Sequence, residues 1–381
     1  MSNKKKSNNK KMLAFMNSYY FGKSGGDVIF LELCKYFNKY VEITVITSEM
    51  GKKLTLEYCD NLNFIITDKR KHFKNIIFSY LFRGIKALFL RIQLNIGDIL
   101  YGTSDFLPDV FPIFFYKLHN KRAIWIQKIY HIIPTDRKIS FFAQNLSFFL
   151  IKLLANKIIV VNKDVKEYLV KKGFNQERIE VIYLGVNINE IQNKKYNYHI
   201  NYDAVFVGRL AESKGIYDLI EIWSFVCNEI KNAKLAIVGA GNADIINEIV
   251  KLIKAKNLEN NTNLIGYVKN NDEVYSIIKS SKLFVSPSHE EGFGLSIAES
   301  MALGTPVVAY DLPVYKEIYG DSISYAKLLD TNDFASKIIK LLNDKSLLTY
   351  YSRLGIEVVK KYDIENCAKK ELSIMDLYNN L

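Results

Sequence analysis

Apolar and polar positions along this chain fall into two alternating patterns. Short runs rich in β-branched residues recur between longer stretches whose apolar residues return every three or four positions. In the first half the short runs are MLAFMNS (12–18), VEITVIT (41–47), NFIIT (63–67), DILYG (98–102), AIWIQ (123–127) and KIIVVN (157–162). In the second half they are DAVFVG (203–208), LAIVG (235–239), NLIGYV (263–268), LFVSP (283–287) and PVVAY (306–310). Runs this apolar predict parallel strands buried on both faces, with helices making the crossovers. Two successive sets predict an α/β chain of two doubly wound, Rossmann-like domains facing a cleft.

The 381 residues suit two domains rather than one core. Residues 1–11, MSNKKKSNNKK, read as a disordered basic tail, with no apolar segment after them to make a secretory signal. The first domain is expected over 12–189. After GVNIN (185–189) the chain turns polar, NEIQNKKYNYHINY, and reads as a structureless hinge. The second domain is expected over 190–365, and NCAKKELSIMDLYNNL (366–381) as an amphipathic helix packing back on the first.

Charge separates the halves. Net charge is +12, with 32 Lys and Arg against 16 Asp and Glu in residues 1–200 and 20 against 24 in 201–381. A basic half suits an anionic membrane or a phosphorylated substrate; without a basic-aromatic stripe, nucleic acid is not expected. Two basic-half segments, 73–95 and 140–157, mix large apolar residues with Lys or Arg at helical spacing. They read as core helices with a solvated stripe, or as membrane-docking helices. No stretch reaches the roughly 18 apolar residues of a membrane span. Cys34, Cys59, Cys227 and Cys367 are far apart and match no metal spacing. A reduced, cytoplasmic setting is expected, with attachment to the inner membrane face open.

In such sheets ligands sit beyond the carboxyl ends of the strands. GRLAESKG (208–215) follows one strand and puts Arg209 and Lys214 in a loop entering a helix, a site for an anion or ordinary loop solvation. SHEEGFGLSIAESMALGTP (288–306) follows another: glycines let the backbone approach a ligand, and a helix beginning near Leu295 points its amides there. Glu291 precedes that helix and Glu299 lies about a turn into it, separated by seven residues. Carboxylates accept hydrogen bonds from vicinal hydroxyls, which suits ribose and hexose. Ser24, Gly25 and Gly26 form a weaker cradle candidate. IVGAGNAD (237–244) lacks the third glycine of a dinucleotide fingerprint and reads as a tight strand-to-helix turn. His131, in KIYHIIP, follows a strand at the edge where a site belongs; His289 adjoins the acidic loop, and His72, His119 and His199 lack such context. No Asp-x-Asp occurs, which argues against a metal held by paired aspartates.

GRLAESKG (208–215), SPSHEEGFGLSIAESMALGTPVVAYDLPVYKEI (286–318) and VIYLGVN (181–187) together resemble family 4 of the retaining glycosyltransferases, with the GT-B fold. The resemblance is strongest in the second half, where Glu291 and Glu299 match the family's paired glutamates. Asn187 stands where the family commonly has Asp. It implies that Arg209 and Lys214 bind the donor diphosphate and stabilise the leaving nucleotide. Glu299 would hold the ribose and Glu291 the transferred sugar, with backbone of Gly208, Gly292, Phe293, Gly294 and Leu295 at sugar or phosphate. Gly266 and Tyr267 would lie near the base, Gly25 and Gly26 would close over the diphosphate from the other domain, and His131 would sit at the sugar. The implied activity moves a hexose from a nucleotide-diphosphate sugar to a saccharide or lipid-linked acceptor, with retention and without metal or cofactor, in cell-surface polysaccharide or glycolipid synthesis. A non-catalytic nucleotide-sugar-binding subunit is the alternative. A glycoside hydrolase using Glu291 and Glu299 leaves the cationic loop without a purpose.

Overall fold

A computed structural model describes residues 10–19, 25–70, 76–196 and 201–377. The chain forms two compact units, Met1–Leu184 with Ile364–Leu381, and Gly185–Asp363. The first holds β1 (Lys11–Met16), β2 (Glu42–Ser48), β3 (Asn63–Asp68), β4 (Ile99–Gly102), β5 (Ile124–Ile129), β6 (Lys157–Val160) and β7 (Ile179–Val181). Their order is β3-β2-β1-β4-β5-β6-β7, all parallel. The second holds β8 (Tyr202–Val207), β9 (Leu235–Val238), β10 (Thr262–Gly266), β11 (Ser281–Ser286), β12 (Val307–Tyr310) and β13 (Ser324–Ala326), in the parallel order β10-β9-β8-β11-β12-β13. Each sheet reverses its winding once, between β1 and β4 and between β8 and β11. Crevices for ligands open at such reversals.

All eleven apolar runs are strands. The two strands without a recognised run, β7 (IEV) and β13 (SYA), are three-residue edge strands. Each is too short to carry a pattern and is set by one neighbour. Separate cores fill the units, one around Trp125, Leu100 and Ile151, the other around Trp223, Ile237 and Val285.

Three borders differ from expectation. Lys11 belongs to β1 rather than to a tail, and its amide donates to Asp98 Oδ1 at 2.9 Å; residues 1–9 lie outside the described residues. The division falls at Leu184/Gly185 rather than after Asn189, because Val186 bridges to Asp363 and donates to the Tyr362 carbonyl. The stretch read as a structureless hinge is ordered through residue 196. Helix Ile188–Asn193 buries Ile188 and Ile191, Gln192 donates to the Ala302 carbonyl at 3.1 Å, and Lys194 pairs with Asp272 at 2.7 Å. Helix Ile364–Ile374 begins two residues before its expected start and packs in the first unit against helix Gly25–Phe37. There Glu371 accepts from Lys128 Nζ at 2.5 Å and from the Tyr101 hydroxyl at 2.7 Å, with all three side chains buried.

The helices Ile76–Leu88 and Lys138–Leu154 do not present a solvated stripe of cations. Their outward faces are largely apolar, while Ser79, Arg83, Gly84 and Ala87 fill the buried face of the first. Arg83 faces inward because it clamps the end of β1, donating to the Asn17 and Tyr19 carbonyls and pairing with Asp68. Among the described residues no helix is long and apolar enough to cross a membrane.

Candidate active site

In the second unit the loops after β8 and β11 flank the winding reversal. The chain leaves β8 through Gly208 and exposed Arg209, forms the short helix Glu212–Lys214, and enters helix Ile216–Glu229 through Gly215. Gly215 is left-handed at φ +66, and a Cβ there would lie 1.8 Å from the Pro287 carbonyl oxygen. Only glycine lets the loop after β11 lie this close. The His289 amide donates to the Ser213 carbonyl at 3.0 Å, and the His289 ring shares Asp218 Oδ2 with the Tyr310 hydroxyl, at 3.0 and 2.9 Å. These bonds lash one loop to the other, which makes His289 a brace.

The brace brings Lys214 Nζ to 2.5 Å from Glu291 Oε1, across 77 residues of sequence. Both side chains remain partly exposed, at 19% and 18%, and Ser288 Oγ donates to the same carboxylate oxygen at 3.3 Å. Beneath them Tyr315, its hydroxyl held well above the ordinary tyrosine range by burial, exchanges a hydrogen bond with Ser286.

Helix Leu295–Ala302 starts at Gly294, left-handed at φ +85, where a Cβ would press on the Tyr315 ring at 2.9 Å. Gly294 therefore sets the direction in which the helix presents its first amides. The Phe293 side chain points the other way, buried against Tyr319 and Tyr362, and the Tyr319 hydroxyl bonds the carbonyls of Phe293 and Gly294 at 3.0 Å each. Any ligand contact by Phe293 must use its backbone. One turn on, Glu299 Oε1 accepts from the Tyr275 hydroxyl at 2.9 Å. The ends of β8, β9 and β10 lie side by side: Gly208 N donates to Val238 O, and Gly239 N to Gly266 O. Tyr267, the next residue, is exposed. IVGAGNAD is the expected tight turn, with Asn242 capping helix Ala243–Ala255.

In the first unit, Gly25 and Gly26 open helix Gly25–Phe37, and the Tyr130 hydroxyl donates to the Gly26 carbonyl at 3.1 Å. Ser24 lies outside the described residues, as do His72 and His199. His131 is exposed and follows Tyr130. Its backbone is held by Gln144, whose Nε2 donates to the His131 carbonyl at 2.9 Å and to buried Asp105 at 2.6 Å. Burial raises the Asp105 carboxyl above its ordinary range, with His131 and Gln144 pulling it back. Tyr275, Tyr315, Asp218, Asp105 and Gln144 are site neighbours that sequence reasoning missed. Each meets its partner across tens of residues; of the five only Tyr315 falls inside a quoted motif, in the run 286–318, where no reading singled it out. Among the described residues no three His, Cys, Asp or Glu side chains gather to hold a metal.

Residues 187–357 match the family model for glycosyl transferases group 1. The O-antigen biosynthesis glycosyltransferase WclY of Escherichia coli is 25% identical over 316 residues, 78% of this chain and 83% of that protein. The poly(ribitol-phosphate) alpha-N-acetylglucosaminyltransferase of Staphylococcus aureus (strain COL) is 30% identical over 206 residues, 53% of this chain and 41% of that longer protein. Among solved structures, HepE from Anabaena, determined with UDP and glucose, superposes with a TM-score of 0.77, covering 97% of this chain and all of that one. At 15% identity that likeness speaks to the fold. Residues 187–357, all in the second unit, are thus similar to the glycosyl transferases group 1, and the two Rossmann-like units have the architecture of the GT-B fold.

Proposed function

We propose that this chain transfers a hexose from a nucleotide-diphosphate sugar to a saccharide or lipid-linked acceptor, with retention of configuration and without a metal, in the synthesis of a cell-surface polysaccharide or glycolipid. The observation that carries the reading is the Lys214–Glu291 pair, assembled with Arg209 at the carboxyl ends of β8 and β11. A hydrolase needs two carboxyl groups across one bond. Here one carboxylate is bonded to a cation, an arrangement suited to a sugar joined to a diphosphate.

In this reading Arg209 and Lys214 face the diphosphate, and the amides after Gly294 add a partial positive charge. Glu291 orients Lys214 and accepts from sugar hydroxyls. Glu299, fixed by Tyr275, accepts from the ribose diol, while Gly266 and Tyr267 border the base. Gly25, Gly26 and His131 keep the roles at diphosphate and sugar that the resemblance implies. The bond from the anomeric carbon to the diphosphate oxygen breaks, its electron pair leaving with the phosphate. The acceptor hydroxyl adds to the same face of that carbon, and its proton passes to the departing phosphate oxygen. Charge grows on the diphosphate in the transition state, where two cations replace a metal. The alpha product in the name of the S. aureus relative is consistent with retention from an α-linked donor.

A thermal-shift screen against UDP, GDP and ADP sugars identifies the donor, since ligand stabilises by mass action. Arg209→Ala and Lys214→Ala should each lower turnover of that donor by about a hundredfold or more, the scale for a lost electrostatic contact. Full turnover in both variants refutes the assignment. Donor binding without transfer or slow hydrolysis would instead mark a nucleotide-sugar-binding subunit.

A further inference from the structure

The outward faces of three helices in the first unit are apolar, and the helices lie side by side. Helix Leu107–His119 packs against Ile76–Leu88 on one flank and Lys138–Leu154 on the other. Gly84 admits Pro108 closely, and Tyr80 stacks with Phe106. Along Lys138–Leu154 the exposed residues are Ile139, Phe142, Leu146, Phe149 and Leu153, spaced three and four apart on one helical face. Along Ile76–Leu88 and just beyond, Ile77, Leu81, Ile85 and Phe89 form a second stripe, and Phe111, Phe115 and Leu118 a third between them. Phe89 and Phe142 are 79% and 76% exposed. The usual surface helix keeps its apolar stripe for the core; Leu107–His119 and Lys138–Leu154 bury one and expose another.

Charge says what covers this face. Residues 76–154 contain four carboxylates, of which Asp98, Asp105 and Asp109 are buried and Asp136 alone is exposed. Exposed cations stand at the helix ends: Lys86 and Arg91 beside the second stripe, Arg137, Lys138 and Lys152 at the two ends of the first. A cavity of about 440 Å³ at the edge of the face is lined by Lys69, Arg70 and Lys86 together with Phe82 and Phe89. It sets cations beside aromatic rings, with the Arg70 guanidinium 4.6 Å from the Phe82 centroid. An apolar face with a cationic margin is the pattern of a surface that lies in a lipid interface without spanning it.

We propose that the face built by Ile76–Leu88, Leu107–His119 and Lys138–Leu154 docks this chain on an anionic lipid bilayer, with the phenylalanines entering the acyl boundary and the cations at the headgroups. The proposal is independent of donor chemistry. A second copy of this chain fits it less well, because two like faces would bring their cationic margins together.

The test uses the full chain in flotation with phosphatidylcholine vesicles, with and without phosphatidylglycerol, and no nucleotide sugar. Binding is expected to the anionic vesicles and to weaken with salt, by about fivefold for each cation disengaged. The double variant Phe142→Glu/Phe149→Glu alters exposed positions only and should keep the wild-type melting temperature. Its partition should fall by roughly a hundredfold or more, the scale for two phenylalanines withheld from an apolar phase. Wild-type protein that stays unbound overturns the proposal, as does a folded double variant that binds undiminished. Sedimentation velocity supplies the third arm: an oligomer that the double variant dissolves, without vesicle binding, would assign the face to a second copy instead. Donor turnover is read separately, so failure here leaves the transferase reading standing.

Discussion

Replacing Gly215 by alanine puts a methyl group where the structure has a carbonyl. The new Cβ would lie 1.8 Å from the Pro287 oxygen and 2.7 Å from its carbon, so one loop must withdraw from the other by more than an ångström. The left-handed backbone, φ +66, adds about 1–2 kcal/mol for any residue with a Cβ. Relieving the clash adds about 1–3 kcal/mol more. A total of roughly 2–5 kcal/mol corresponds to a fall of about 5–15 °C in the melting of a unit of this size. The same withdrawal separates Lys214 from Glu291, and a misplacement of about 1 Å can reduce turnover about a hundredfold. Gly304→Ala is the control: its φ is also positive, at +76, but the nearest neighbours of its added Cβ are the side-chain ends of Ile356 and Ser352, at 3.3 and 3.4 Å. It should show the backbone cost alone and leave turnover untouched. Differential scanning calorimetry and donor turnover on both variants decide the matter. If Gly215→Ala melts within 2 °C or so of Gly304→Ala and turns over like the parent, the close approach of the two loops is not what positions Lys214.

Three further outcomes are expected. Glu371→Gln leaves the Lys128 ammonium buried without its partner and should cost about 3–5 kcal/mol in urea denaturation; the apolar pair Lys128→Met/Glu371→Leu should recover most of it, and equal losses would refute the reasoning. Burial pushes the Asp109 carboxyl up to about 7, against hydrogen bonds from Ser104, Ser18 and the Asn17 and Ser18 amides. The folded state therefore keeps a proton that the unfolded chain releases near pH 3.9. That stabilisation is full below pH 4 and is lost as pH rises through 7, roughly 4 kcal/mol in all; Asp109→Asn should flatten the denaturation profile from pH 5 to 8, and an unchanged slope would count against it. Tyr275→Phe removes the hydrogen bond that fixes Glu299 and should raise the donor KM about tenfold with little change in kcat. Unaltered donor kinetics would separate Tyr275 from the donor site.

Local pattern carried the fold a long way. A buried parallel strand needs apolar residues on both faces, so LAIVG and LFVSP declare themselves without reference to any partner. The edge strands IEV and SYA, three residues each, depend on a neighbour for their definition and could not. The polar run after GVNIN looked structureless because Lys194, Gln192 and the Tyr196 ring find partners on distant elements, in Asp272, Ala302 and Tyr275. Likewise the cationic loop and the paired glutamates were legible as motifs, whereas Tyr275 beneath Glu299 was not.

What the sequence determined alone, then, is the alternation of elements, the two-unit count, and the residue types waiting at strand ends. Those follow from side-chain period and backbone preference, which act over a few residues. Tertiary structure decided which ends meet: strand order brings β8 beside β11, and a glycine without a Cβ lets Lys214 reach Glu291 across 77 residues. It also decided which face of an amphipathic helix turns outward. Spacing gives a helix two unlike faces, but only its neighbours choose the buried one; in Ile76–Leu88 a clamp by Arg83 on the end of β1 holds the face of Ser79, Arg83 and Ala87 inward and leaves Ile77, Phe78, Leu81 and Ile85 out.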